Sequence, residues 1–215
     1  MDTLRLLDAG ALALLASTGW IVVTRRLAIG IALVAFQSLT LATIAFIVAR
    51  ATGLEHVYLA AGLTLVVKAA FATTILSRAL RGVRTRVETG VLGRGVSLAA
   101  AVGLTLLGYS VISPLRLPHT LSSPNSLPIA LSMVLIGLFL LVTRKKALMT
   151  VVGLLTIENG IFLVALSTTY GMPQAVEIGV FADVAFGVAL MAWFATHMNR
   201  LFDTLNTETL RGLKG

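Results

Sequence analysis

The chain has 215 residues, of which 57% are hydrophobic and 12% are charged, and its mean hydropathy is +0.96. A soluble domain carries about 25% charged residues, so this composition excludes an ordinary water-exposed surface. Cysteine is absent from the sequence, which excludes disulfides, thiolate-ligated iron–sulfur clusters and cysteine-based zinc sites. The net charge of +8 could suit nucleic acid, but we expect no such partner, because the basic residues gather in loops as in membrane proteins.

Seven mostly apolar runs are each long enough to cross the roughly 30 Å hydrocarbon core of a bilayer. They cover residues 4–24, 27–49, 57–77, 95–113, 127–143, 148–169 and 174–198. Since no water reaches that core to bond the backbone, each run must form a helix. We therefore predict an all-α integral membrane protein, a bundle of about seven transmembrane helices whose first helix is retained rather than cleaved as a signal peptide.

The basic residues between the predicted spans fall mainly on one side of the membrane. Thirteen lie on that side: Arg25, Arg26, Arg78, Arg81, Arg84, Arg86, Arg94, Arg144, Lys145, Lys146, Arg200, Arg211 and Lys214. Only Arg5, Arg50 and Arg116 lie on the other, and Lys68 is inside a span. Because Lys and Arg collect in cytoplasmic loops, we predict an external N-terminus and a cytoplasmic C-terminus.

A proline-rich stretch suggests how the chain is divided. Residues 114–126 (PLRLPHTLSSPNS) hold three of the five prolines and cannot be helical throughout. We predict an external linker there, between a four-helix block at 1–113 and a three-helix block at 127–199, with 200–215 as a cytoplasmic tail. His119 in this linker is interpreted as a solvated loop histidine.

Four ionisable residues within the apolar spans are candidate site residues. Glu158, Asp183 and Lys68 each fall about ten residues into a span, which is near the bilayer midplane at about 1.5 Å per residue. Glu177 is closer to the external surface, near a helix N-terminus that favours its charged form. Charged groups at this depth cost several kcal/mol unless they are paired, hydrated or neutralised.

Two interpretations of these residues stay open on sequence grounds. They could handle protons, or they could be structural pairs that hold helices together, as polar groups in membrane bundles often do. Gln37, at similar depth, is interpreted as a helix-to-helix contact. The Arg-rich loop 78–94 indicates topology and contact with anionic lipids, or docking of a soluble partner. No catalytic, metal or cofactor motif is present, since GVLGRG at 90–95 lacks the nucleotide-binding spacings.

The last three spans resemble the small chain-K membrane subunit of the respiratory NADH:quinone oxidoreductase and of multisubunit cation/proton antiporters. The resemblance is carried by LSMVLIGLFLLVTRKKALMTVVGL, ENGIFLVAL and DVAFGVALM. With four further spans in front, the whole chain resembles the E-type membrane subunit of hydrogenase-4 and formate hydrogenlyase complexes, for which ENGIFLVAL followed by VEIGVFADVAFGVALM is characteristic.

The resemblance implies that two acids belong to a proton-conducting polar axis. Asp183 matches the second family acid, four residues before Gly187, with Asp in place of Glu. At the position of the first family acid this chain has Leu155, and Glu158 stands one helical turn further on, on nearly the same face. Glu177 has no counterpart in the small subunit.

We therefore expect a non-catalytic membrane subunit of a hydrogenase-4-like, complex I-related assembly in a bacterial or archaeal plasma membrane. Its proton path would use Glu158, Asp183, Glu177 and Lys68, with no cofactor of its own. The expected partners are antiporter-like subunits, subunits that anchor the quinone or hydrogenase arm, and membrane lipids. The alternatives are a purely structural scaffold subunit of such a complex and an independent secondary transporter, although no inverted repeat is apparent.

Overall fold

The computed structural model describes residues 2–53, 55–81, 87–88, 92–114 and 125–169. The helices in this part of the chain are α1 (Asp2–Val23), α2 (Leu27–Thr52), α3 (Glu55–Leu63), a π-helical segment (Thr64–Ala72), α4 (Thr73–Arg81), α5 (Arg94–Ile112), α6 (Ser126–Thr143) and α7 (Ala147–Thr169). The third span is continuous from α3 through the π-helical segment into α4, so the described residues hold six helices that could cross a membrane. The predicted all-α, multi-span fold is confirmed.

The first six predicted spans agree with the observed helices to within a few residues. The seventh, at 174–198, lies outside the described residues. The orientation of the termini and the division into two blocks at 114–126 stay predictions, and His119 also lies outside the described residues.

The bundle is built around contacts between neighbouring helices. α6 packs along α7 and against α5, and α1 packs against α2 and α6. α2 also contacts α7 and the π-helical segment, so it lies between the third span and the last described helix. Large apolar side chains outside these contacts are exposed, as expected where lipid replaces water; examples are Trp20, Leu106 and Val142.

Glycines bring α6 and α7 close together. A Cβ atom placed on Gly137 would lie 3.0 Å from the carbonyl oxygen of Gly153, and one placed on Gly160 would lie 2.9 Å from that of Ala130. Small residues let transmembrane helices approach until their backbones are in van der Waals contact, which is the main attraction available in lipid. This close crossing fixes the position of α7, the helix that carries Glu158.

Candidate functional site

Lys68 and Glu158 form an ion pair in the interior of the bundle. The distance from Lys68 Nζ to Glu158 Oε1 is 2.6 Å, and the two side chains are only 2% and 8% exposed. Lys68 is near the middle of the third span and Glu158 near the middle of α7. The pairing meets the requirement that a charge at this depth must have a partner.

Lys68 has two further contacts on α7. Its Nζ donates to Asn159 Oδ1 over 3.5 Å and lies 5.2 Å from the ring centroid of Phe162. Phe162 follows Glu158 by one helical turn, so both present the same face of α7 to the lysine. A cation held over an aromatic ring in a desolvated site gains about 2 kcal/mol. The lysine is thus held by an anion, an amide oxygen and a ring.

A line of hydrogen bonds continues from the ion pair across the bundle. Asn159 Nδ2 donates to Gln37 Oε1 over 3.3 Å, and Gln37 Nε2 donates to Thr18 Oγ1 over 2.9 Å. Thr18 Oγ1 in turn donates to the carbonyl oxygen of Leu14 over 2.8 Å. We call Thr18, Gln37, Asn159, Lys68 and Glu158 the polar line; it joins α1, α2, α7 and the π-helical segment, and its members are all buried.

The hydrogen bonds that lead from Lys68 to Thr18 all point in one direction. Asn159, Gln37 and Thr18 each accept from the side of Lys68 and donate away from it. Bonds arranged head to tail polarise one another, and here the acceptor end of the series faces the lysine. This arrangement stabilises a positive charge on Lys68 and couples its charge state to Gln37 on α2 and Thr18 on α1.

The backbone around Lys68 is itself unusual. Lys68 stands at the centre of the nine-residue π-helical segment, and Thr73 Oγ1 donates to the Lys68 carbonyl oxygen over 3.3 Å at the end of that segment. π-Helical turns are rare and occur frequently at functional sites. The wider turn interrupts the regular α-helical hydrogen-bond pattern at Lys68, the residue whose side chain must reach α7.

The carboxylate of Glu158 has fewer hydrogen-bond partners among the described residues than its charge requires. Its Oε2 is buried, and no donor from the described residues forms a hydrogen bond to it. Leaving a buried acceptor unsatisfied costs about 1–3 kcal/mol, and more for a charged one. A proton on the carboxyl group, a water molecule or a group beyond the described residues would remove that cost.

A second buried cluster lies at one end of the bundle, where α1 and α6 end and α7 begins. Glu88 Oε1 accepts from the backbone N–H groups of Lys145 and Lys146 at 2.7 and 3.1 Å, and its Oε2 accepts from Arg144 at 3.0 Å. Arg144 also donates to the carbonyl oxygens of Ile21, Val22 and Thr24 at the end of α1. An anion at the start of α7 and a cation at the end of α1 both match the helix dipoles.

The sequence-predicted site residues are distributed as follows. The structure brings Lys68 and Glu158 together. Gln37 bridges α1 and α7, which agrees with its interpretation as a helix-to-helix contact. Asp183 and Glu177 lie outside the described residues. Among the residues that the structure describes, no group of three metal-ligating side chains is found.

Sequence reasoning missed the role of four residues. Thr18 and Asn159 are neutral polar residues within apolar helices. The only sequence signal for them was a depth in the membrane similar to that of Gln37 and Glu158. Glu88 could have been noticed as the acid within an otherwise basic loop. For Arg144 the sequence indicates only topology and the family resemblance, whereas its side chain is 6% exposed and bonded to α1.

In the part of the chain that the structure describes, six helices of membrane length and a buried charged pair indicate a multi-pass membrane protein whose interior carries ionisable groups. Residues 126–215 match the family model of NADH-ubiquinone/plastoquinone oxidoreductase chain 4L. This match confirms the resemblance of the C-terminal part to the small subunit, and it suggests a complex I-related membrane subunit. The matched region contains Glu158 and Asp183 and leaves out Lys68.

Over almost its whole length the chain is similar to a protein of Mycobacterium tuberculosis (strain ATCC 25618 / H37Rv) described as Uncharacterized protein Rv0085. The two are 29% identical over 212 residues, which is 97% of this chain and 96% of the relative. No solved structure matches the chain. The similarity therefore extends across both the helix that carries Lys68 and the helix that carries Glu158.

Proposed function

We propose that this protein is a non-catalytic membrane subunit of a hydrogenase-4-like, complex I-related redox complex, and that its buried ion pair takes part in proton translocation. The observation that carries the proposal is the pair of Lys68 and Glu158, 2.6 Å apart and almost fully buried. The match of residues 126–215 to the chain 4L family supports the type of complex. The proposed location is a bacterial or archaeal plasma membrane.

The pair can exist in two states that carry the same net charge. In one, Lys68 is an ammonium and Glu158 a carboxylate; in the other, a proton has moved from Nζ to Oε1 and both groups are neutral. Burial favours the neutral state, whereas Asn159 Oδ1 and the Phe162 ring favour the charged one. Because these effects oppose each other, a change of charge nearby can shift the pair from one state to the other.

In the proposed path, Asp183 and Glu177 would provide the neighbouring charge that shifts the pair. An acid that loses its proton close to Glu158 disfavours a second carboxylate in the same low-dielectric region, so a proton is drawn onto Glu158. Lys68 then either keeps its ammonium proton or releases it, depending on the charge of Glu158. The protein's partners in this scheme are antiporter-like subunits and the membrane subunits that anchor the redox arm.

A purely structural role explains the ion pair less well. A buried ion pair often contributes no more stability than apolar side chains of similar volume, so helix association alone does not require it. The scaffold function is therefore the second candidate, supported mainly by the tight contacts at Glu88 and Arg144.

The test is proton translocation by the assembled complex with Glu158→Gln and with Asp183→Asn. We expect each change to lower the number of protons moved per electron while the complex still assembles on a native gel. Glu55→Gln, an exposed acid at the start of α3, is the matched control. Translocation that survives both changes contradicts the proposal. Loss of the assembled complex in Asp183→Asn and in Lys68→Met/Glu158→Gln, which leaves no unpaired Lys68 charge, favours the scaffold.

The type of complex is tested separately by purifying the full chain from its native membrane. Antiporter-like subunits and a hydrogenase-like or quinone-reactive arm should co-purify with it. If the chain purifies alone and carries ions in vesicles, the secondary-transporter alternative is correct and the subunit proposal is wrong.

A further inference from the structure

A groove opens beside the turn between α1 and α2, away from the polar line. It has a volume of about 450 Å³, and three arginines and Thr24 form the polar part of its lining. The groove is lined by Trp20, Val23, Thr24, Arg25, Arg26, Ile29, Val87 and Arg94. We call it the basic groove.

The arginines of the basic groove are not neutralised by the described residues. No described carboxylate lies within 4 Å of Arg25, Arg26 or Arg94, and the nearby Glu88 is committed to Arg144 and the start of α7. Three guanidinium groups that share one groove repel one another. An anion between them would relieve that repulsion and bind through forked, charge-assisted hydrogen bonds.

Two helix N-termini add to the attraction for an anion. α2 begins at Leu27 and α5 at Arg94, next to the arginines; neither has a side-chain cap, and neither carries an acid in its first turn. No described side chain caps their first backbone N–H groups, and both dipoles present partial positive charge here.

The apolar part of the lining identifies the kind of anion. Trp20 is one turn from the end of α1 and 64% exposed, and Val87 is 56% exposed. An exposed tryptophan one turn from the end of a membrane-length helix is characteristic of headgroup depth. A groove lined by both arginines and apolar side chains fits a phosphodiester group that carries acyl chains.

We propose that the basic groove is a binding site for one anionic phospholipid, with the phosphate held by Arg25 and Arg94 and the upper acyl chain against Trp20. Val87 and Glu88 are part of the site, because Glu88 is bonded to both neighbouring turns. The Glu88 N–H donates to the Arg25 carbonyl oxygen over 2.8 Å, and the Glu88 side chain binds the α6–α7 turn. The lipid thus sits where four helices are joined and would stabilise that junction.

Tryptophan fluorescence of the full chain in lipid vesicles tests the site. The sequence has two tryptophans, so Trp193→Phe leaves Trp20 as the reporter. Phosphatidylglycerol with brominated acyl chains should quench Trp20 at a much lower mole fraction than brominated phosphatidylcholine does. In Arg25→Gln/Arg94→Gln this preference should fall about tenfold or more, since each basic contact is worth roughly a fivefold change in lipid affinity.

Two further variants separate a defined site from general surface charge. Arg25→Lys/Arg94→Lys should keep most of the preference, and Arg78→Gln/Arg81→Gln, which removes two exposed arginines of α4 outside the groove, should keep all of it. Equal quenching by the two lipids overturns the site, as does an unchanged preference in the double glutamine variant or an equal loss in the α4 variant. If the double glutamine variant does not fold, Arg94→Gln alone gives the same test, with an expected loss of about fivefold.

Discussion

The stability of the charges on Lys68 and Glu158 depends on the contacts that each side chain makes inside the bundle. The pair is buried, and Lys68 also contacts Asn159 and Phe162, while Glu158 Oε2 has no donor among the described residues. The lysine is therefore better stabilised as an ion than the carboxylate is. Because its charge has fewer contacts, Glu158 is the member of the pair that more readily takes up a proton.

The first prediction concerns the energetic coupling of the two residues. Glu158→Gln should lower the free energy of unfolding by about 3–5 kcal/mol, because it leaves Lys68 as a buried charge without an anion. Lys68→Met/Glu158→Gln should recover most of that loss, since the unpaired charge is gone. Thermal unfolding in detergent measures both, with Glu55→Gln as a control that should stay within about 0.5 kcal/mol. A double variant as unstable as Glu158→Gln would show that the pair is not coupled.

The chemistry of these residues was predictable from sequence, but their pairing was not. A Lys and a Glu inside apolar spans are conspicuous because their burial is costly. That Lys68 meets Glu158 depends on two helices separated by ninety positions in the chain, and the π-helical segment sets the direction of the lysine. Asn159 gave no comparable signal, since a neutral amide is tolerated at many places in a membrane helix.

At the scale of the helices, hydrophobic length predicted each of the first six spans well. Length and apolar character alone decide whether a segment can cross the bilayer, so local sequence contains the information. The π-helical segment was not predictable, because TLVVKAAFA carries no proline or glycine to mark a change of winding. The wider turn at Lys68 accompanies contacts with α2 and α7, which are tertiary.

The second prediction compares two glycines that differ only in their surroundings. A Cβ on Gly160 would lie 2.9 Å from the carbonyl oxygen of Ala130 and from Val134 Cγ2, whereas one on Gly103 would meet nothing within 4 Å. Gly160→Ala should therefore destabilise the protein by about 1–3 kcal/mol through overpacking. Gly103→Ala should be neutral or stabilising by up to about 1 kcal/mol, because alanine favours a helix interior. Thermal unfolding of both variants checks this, and equal effects would contradict the close α6–α7 crossing.

At the scale of the whole molecule, the distribution of basic residues is the basis for the predicted orientation of the protein in the membrane. Part of this charge has a structural task as well, since Arg144 binds the end of α1 and Glu88. The orientation itself remains a prediction from thirteen basic residues on one side against three on the other.

The third prediction uses the absence of cysteine from the chain. A single cysteine introduced as Ser122→Cys, in the predicted external linker, should react with an impermeant maleimide in intact cells. Lys214→Cys, in the predicted cytoplasmic tail, should react only after the cells are opened. The reverse pattern would show that the protein is inserted in the opposite direction.

The central claim is that Glu158 and Lys68 handle protons rather than only hold helices together. The most direct test is proton translocation by the assembled complex that carries Lys68→Met/Glu158→Gln. We predict a complex that is stable and transfers electrons but moves clearly fewer protons per electron than the unmodified complex or the Glu55→Gln control. Normal translocation in this double variant would contradict the account.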